Sequence, residues 1–254
     1  MLKAGAGSVV LALLWLSRLP VGRLLPQPAP SLASSLWAFP LAGAILGAIV
    51  AAVYLIAAFF LPAVLAAIVA IGFGIWITGG LHEDGLADFA DGMGGRDAVA
   101  RLQIMRDSRI GSYGALTLGL VTALRIAALA ALPVWAGAAA LFALGAATRS
   151  GMVVALYLLP PARSDGLGRG AGVPSAGAVV TAVVIGLIAL ATMWLCGFWP
   201  FVALTASIAA IVAAQLWVGS QAQRRLGGHT GDVLGAIQQA GEAVAFVALV
   251  ATAG

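Results

Sequence analysis

From Leu24 to Leu81 the chain carries no charged side chain, and from Leu36 onward the run is almost wholly apolar. That is too long for one bilayer crossing, which takes roughly 20 residues, and about right for two. Leu61-Pro62 supplies the break, because proline lacks the backbone donor that a helix interior needs. The pattern predicts helices over 36–59 and 63–80. Further apolar stretches predict helices over 112–132 and 135–159, divided at Pro133, and then over 174–195, 199–219 and 234–253. Gln238, Gln239 and Glu242 interrupt the last of these. Polar segments separate the helices at 81–111, 160–173 and 220–233. Near the N-terminus, Val9 to Leu16 has the length of a signal-peptide apolar core, but Arg18-Leu19-Pro20 follows without a small-residue cleavage site. Residues 1–35 therefore read as a retained interfacial segment too short to span. The expected fold class is all-α: a polytopic integral membrane helical bundle of about six to seven transmembrane helices, one domain over 1–254.

Composition agrees. The chain is 62% hydrophobic and 9% charged, with a mean hydropathy of +1.08, whereas a soluble domain carries about 25% charged residues. A net charge of +4 and a pI near 10.0 would point to nucleic acid in a soluble protein. Here the basic residues flank apolar spans, so topology and contact with anionic membrane lipids account for them, and no nucleic acid partner is expected. Of 13 Lys and Arg residues, all but Arg125 and Arg149 fall in segments that alternate crossings put on one side. The positive-inside rule makes that side the cytoplasm, and the expected location is the cytoplasmic (inner) membrane. A lone Cys196 forms no internal disulfide.

The acids are distributed differently. Six of nine lie within 83–107. Asp84, Asp88 and Asp91 stand at i, i+4 and i+7, so a helix would put them on one face, where like charges repel. A divalent cation reverses that repulsion, and Mg²⁺ in particular takes few protein carboxylates and leaves positions for phosphate oxygens. The plain alternative is a solvated acidic loop. In a chain this poor in acids, crowding them beside a membrane favours a site. Arg101, Arg106 and Arg109 follow, with Asp107 and Ser108 between them. Guanidinium groups clamp phosphate oxygens through paired donors; the competing reading is contact with lipid headgroups. Arg125 and Arg149 fall inside predicted spans, where arginine normally faces the bundle interior, toward either an anion or a structural ion pair. A second polar stretch, Gly227-Gly-His-Thr-Gly-Asp232, offers Thr230 and Asp232, with Glu242 further along; these are candidate substrate contacts or a helix cap. His82 and Asp91 are candidate proton acceptors.

Thr78-Gly-Gly-Leu-His-Glu-Asp-Gly-Leu-Ala-Asp-Phe-Ala-Asp-Gly92, Ile104-Met-Arg-Asp-Ser-Arg-Ile-Gly111 and Gly227-Gly-His-Thr-Gly-Asp-Val-Leu-Gly-Ala236, with shorter matches at Leu16–Pro20, Phe39–Gly43 and Asp165–Gly168, resemble the cobalamin-5'-phosphate synthase (adenosylcobinamide-GDP ribazoletransferase) family. Glu83 stands where that family often has an apolar residue, and His229 where glutamine is more usual. The resemblance implies a Mg²⁺-dependent reaction at the end of cobalamin synthesis. Adenosylcobinamide-GDP and α-ribazole, or its 5'-phosphate, are the implied substrates, and GMP is released. Asp84, Asp88 and Asp91 are the implied metal ligands, and the oligomeric state is open. Two rival classes are a CDP-alcohol phosphotransferase, whose motif places Ala-Arg after Asp-Gly where this chain has Ala87-Asp88, and a cation transporter.

Overall fold

A computed structural model describes residues 2–164 and 166–252, and the side chains of all of these except Leu2, Lys3, Ala4, Leu167 and Arg169. Asp165 lies outside the described residues. The elements are α1 (Leu2–Leu16), α2 (Leu32–Ser35), α3 (Phe39–Phe60), α4 (Ala63–Thr78), α5 (Leu81–Gly92), α6 (Ala98–Ile104), α7 (Ser112–Ala131), α8 (Val134–Leu158), α9 (Leu167–Gly170), α10 (Ala176–Leu195), α11 (Phe201–Leu226) and α12 (Gly231–Thr252). Among the described residues there is no strand, only an isolated bridge between Pro161 and His229.

Six helices are long and apolar enough to cross a membrane: the run Leu32–Phe60 that contains α3, then α7, α8, α10, α11 and α12. The 16 residues of α4 rise about 24 Å at 1.5 Å each, and α4 counts toward a seventh crossing only together with α5, to which it is bent by 88°. Prolines precede α4 and α8 where the sequence predicts, at Pro62 and Pro133, and Pro200 likewise precedes α11, which begins two residues inside the expected 199–219 helix. The chain turns back and forth, so the ends carrying α5, α6, α9 and the α11–α12 turn share one face. Exposed aromatic side chains collect near helix ends: Trp76, Tyr113 and Tyr157 toward that face, and Phe59, Phe60, Trp135 and Phe201 toward the other. This is the distribution expected of interfacial belts.

The 81–111 segment, expected as a polar loop, is largely helical. After Thr78 the backbone turns through two left-handed residues, Gly79 and Gly80, at φ 69° and 70°. Glycine enters that region without a Cβ clash. The turn sets α5 at 88° to α4. Helix 63–80 therefore does not continue past the bilayer; α5 leaves its line and lies across the bundle face. The end of α1 is tied to the same corner, because the Arg18 amide donates to the Ile77 carbonyl at 2.8 Å. Leu13 and Leu16 of α1 join Leu36, Phe39 and Leu46 in one buried cluster.

Small residues let helices approach within this bundle, where lipid removes most of the hydrophobic drive for association. Gly43 and Gly47 of α3 lie against the Gly145 and Leu141 carbonyls of α8, so closely that a methyl at either would collide with them. The α5–α12 crossing is equally tight. A Cβ at Gly85 would stand 2.8 Å from the Asp232 carbonyl oxygen, and one at Gly235 would stand 3.0 Å from the His82 carbonyl oxygen. These contacts bring two sequence motifs, 150 residues apart, onto one another.

Candidate active site

Accounting for each acid separates structural carboxylates from those left over. Asp91 accepts from the Gly111 amide at 2.7 Å and the Gly114 amide at 2.8 Å, satisfying the N-terminus of α7. Asp97 caps α6, accepting from the Ala100 amide at 2.8 Å. Asp107 pairs with Arg109 at 2.7 Å on the surface, and that guanidinium holds its carboxyl at about 2. Glu83 and Glu242 both bind Arg125 in the interior, at 3.1 and 2.7 Å. Among the described acids this leaves Asp84 and Asp88, and Asp232, whose partners are the Thr230 hydroxyl and, at 3.6 Å, Arg163, is their neighbour across the α5–α12 crossing.

Their surroundings are electrostatically uncomfortable. Burial, followed by the charges of Asp84, Asp232 and Asp91, pushes the Asp88 carboxyl up to about 7, opposed by Arg163. Asp232 accepts from the Thr230 hydroxyl at 3.1 Å and has Arg163 at 3.6 Å. Arg163 is put there by a short backbone ladder. The His229 amide donates to the Pro160 carbonyl at 2.8 Å, and the Ala162 amide donates to the His229 carbonyl at 2.9 Å. Arg163 itself donates to the Leu102 carbonyl at 2.9 Å.

Two cavities meet at these carboxylates. One, of about 630 Å³, is open and lined by Arg18, Asp84, Asp88, Ser108 and the Gly79-Gly80 turn. The other, of about 180 Å³, is lined by Asp84, Arg163, Thr230 and Asp232 together with apolar side chains. His82 borders the smaller cavity and is 2% exposed. Burial, then Arg149 and Arg125, lowers its pKa well below the usual imidazole value, so it is neutral at pH 7, and its Nε2 has no protein partner.

The remaining candidates lie elsewhere. Arg101 donates to the Arg225 carbonyl at 3.5 Å, Arg106 is exposed, and Arg109 is engaged with Asp107. Arg149 and Glu242 belong to the buried polar cluster between α5, α7, α8 and α12. There Arg149 donates to the Gly145 carbonyl at 2.9 Å, and Gln239 bridges Arg125 and Glu83 at 2.9 Å each. Gln238 binds Glu242 and, at 3.2 Å, Thr148. Sequence reasoning overlooked Arg18, Arg163 and Trp15, which all line the cavities. From sequence the two arginines read as topological charges, although Arg163 follows the Pro160-Pro161 break and Arg18 lies in the Leu16–Pro20 motif.

The donor set fits a magnesium ion. Among the described residues, no three acidic, histidine or cysteine side chains form a ready metal-binding group. Mg²⁺ does not need one, since it is commonly held by one or two carboxylates plus water and substrate phosphate. Asp84 and Asp88, with Asp232 held only loosely by Arg163 at 3.6 Å, make such a place, where carboxylates and a phosphate ester would share the ion.

A profile of the family described as cobalamin-5-phosphate synthase matches residues 8–250. The chain is similar to proteins named adenosylcobinamide-GDP ribazoletransferase. The one from Sinorhizobium medicae is 45% identical over 244 residues, covering 92% of each chain. That from Bradyrhizobium diazoefficiens is 42% identical over 238 residues, covering 92% of this chain and 89% of the relative. That from Brucella ovis is 42% identical over 258 residues, covering 96% of each. No solved structure matches. The matched range, residues 8–250, takes in the glycine-tightened α3–α8 and α5–α12 crossings and the positions of Asp84, Asp88 and Asp232, and the chain belongs to the cobalamin-5-phosphate synthase family.

Proposed function

We propose that the protein transfers adenosylcobinamide phosphate from adenosylcobinamide-GDP to α-ribazole or its 5'-phosphate, with Mg²⁺, at the cytoplasmic face of the inner membrane. The observation that carries this is the pairing of Asp84 and Asp88 with Asp232 across the α5–α12 crossing, next to Arg163. In the reaction, a ribose hydroxyl oxygen of the acceptor attacks the cobinamide-bearing phosphorus. The bond from that phosphorus to the bridging oxygen breaks, and GMP leaves with the bridging oxygen.

Asp84, Asp88 and Asp232 would hold Mg²⁺, which when bound supplies charge neutralisation at the phosphate oxygens. Arg163 and Arg18 are placed to hold non-bridging oxygens in line with the attack. His82, neutral and with Nε2 free of protein partners, is the group on the smaller cavity that can receive the hydroxyl proton. Asp91 acts one step back: by capping α7 it fixes the end of α5 that carries Asp88. The eleven basic residues outside the spans support a cytoplasmic orientation, and the exposed apolar side chains of α3, α4 and α11 are suited to lipid. The interior acids Glu83 and Glu242 are each paired with Arg125, an arrangement that favours a fixed scaffold over a cation pathway.

The test is product analysis with purified protein in liposomes, given adenosylcobinamide-GDP, ribazole phosphate and Mg²⁺. The expected products are GMP and the 5'-phosphate of adenosylcobalamin in equal amounts. Release of GDP, or cation flux without turnover, would overturn the assignment.

A further inference from the structure

The smaller cavity has a composition that metal and phosphate chemistry leaves unexplained. Beside Asp84 and Asp232 it is lined by Trp15, Leu16, Phe39, Met152 and Leu156. Leu16, Phe39, Met152 and Leu156 are each at most 4% exposed, so they form a fixed apolar wall. Trp15 is only partly buried, unlike the four residues of that wall. Trp15, Leu81 and Asp84 line both cavities, so the indole stands where the recess opens onto the carboxylates.

Resting on the transferase reading above, we infer that this recess is the acceptor site, and that Trp15 packs against the bicyclic aromatic base of the acceptor nucleoside. A flat, largely apolar heterocycle is what an indole face beside aliphatic walls recognises. Seating the base there leaves the ribose at the mouth of the recess, next to Asp84 and Asp232, where its hydroxyl meets the phosphorus. The volumes divide the substrates the same way. A recess of about 180 Å³ suits the base and excludes a corrin macrocycle, whereas the open cavity of about 630 Å³ leaves a corrinoid room to project outward. Helix α1 thereby becomes a wall of the site as well as a segment at the membrane surface.

The experiment is steady-state kinetics on the full-length protein in liposomes, varying each substrate in turn, for wild type, Trp15→Phe and Trp15→Ala. Loss of one base–aromatic stack predicts a rise of about tenfold in acceptor KM for Trp15→Ala. Because Trp15 also lines the open cavity, any rise in donor KM should be well below the rise in acceptor KM, and Trp15→Phe should retain most of the affinity. Unchanged acceptor KM, or a rise in donor KM instead, overturns the inference. A second measurement needs no variant: free benzimidazole should inhibit wild type competitively against the acceptor and not against the donor. Competition with the donor, or no inhibition at millimolar concentration, contradicts the assignment. A wild type with no turnover fails at the earlier step and removes the transferase reading itself.

Discussion

Replacing Arg125 with methionine should destabilise the bundle out of proportion to the volume removed. The guanidinium side chain is 8% exposed and joins Glu83 and Glu242, whose side chains are 8% and 9% exposed. It also binds Gln239 at 2.9 Å. Methionine keeps the length of the stem but strands two carboxylates among apolar helices. Breaking a buried pair by removing one partner costs about 3–5 kcal/mol, mostly because the surviving charge has no compensation. Protonation of the glutamates caps the loss. Removing the charges together should recover most of it, so Arg125→Met combined with Glu83→Gln and Glu242→Gln should come within about 1–2 kcal/mol of wild type. Unfolding in mixed micelles with rising SDS, read by circular dichroism, measures the difference. A loss of less than about 1 kcal/mol in the single variant, or a triple variant no more stable than the single, would show that the shape of Arg125 matters and its charge does not.

Asp84→Asn and Asp88→Asn should each abolish GMP release while leaving the SDS midpoint at or above that of wild type, since each removes a repelled carboxylate; near-normal turnover in both would remove the metal site. Chelation with EDTA should stop turnover and added Mg²⁺ should restore it, with full activity in the chelated enzyme as the contrary result. Gly85→Ala puts a methyl 2.8 Å from the Asp232 carbonyl, so α5 and α12 must separate. An overpacked crossing should cost about 1–3 kcal/mol and reduce kcat, and a variant of wild-type stability and rate would show that the crossing is not tight. Arg163→Ala should raise donor KM and lower kcat, with Arg163→Lys recovering only part because lysine lacks the planar fork; equal activity of the two would argue against a paired contact.

The spans were readable from sequence because each is a long apolar run broken at proline or at a polar segment, and bilayer thickness leaves few ways to divide such runs. The 88° turn after Thr78 was not. Gly79-Gly80 reads equally as loop onset or hinge, and α5, alternating Asp with Ala and Gly, has too few apolar residues to announce a helix. The i, i+4, i+7 spacing of Asp84, Asp88 and Asp91 did anticipate a shared carboxylate face, yet spacing could not reveal that Asp91 is committed to the amides of Gly111 and Gly114. The partners of Arg125 lie 42 and 117 residues away, on helices whose relative rotation is set by packing. Arg163 reads as one more topological arginine until the Pro160–His229 ladder turns it toward Asp232.

Binding of a metal ion between the carboxylates of α5 and α12 and the donor diphosphate can be observed without turnover. Mn²⁺ in place of Mg²⁺, bound to purified protein with adenosylcobinamide-GDP and no acceptor, should show phosphorus hyperfine coupling in electron–nuclear double resonance. The coupling should disappear in Asp84→Asn and Asp88→Asn. Bound Mn²⁺ with no phosphorus coupling in wild type, or coupling that persists unchanged in both variants, would mean that these carboxylates do not hold a metal ion against the diphosphate.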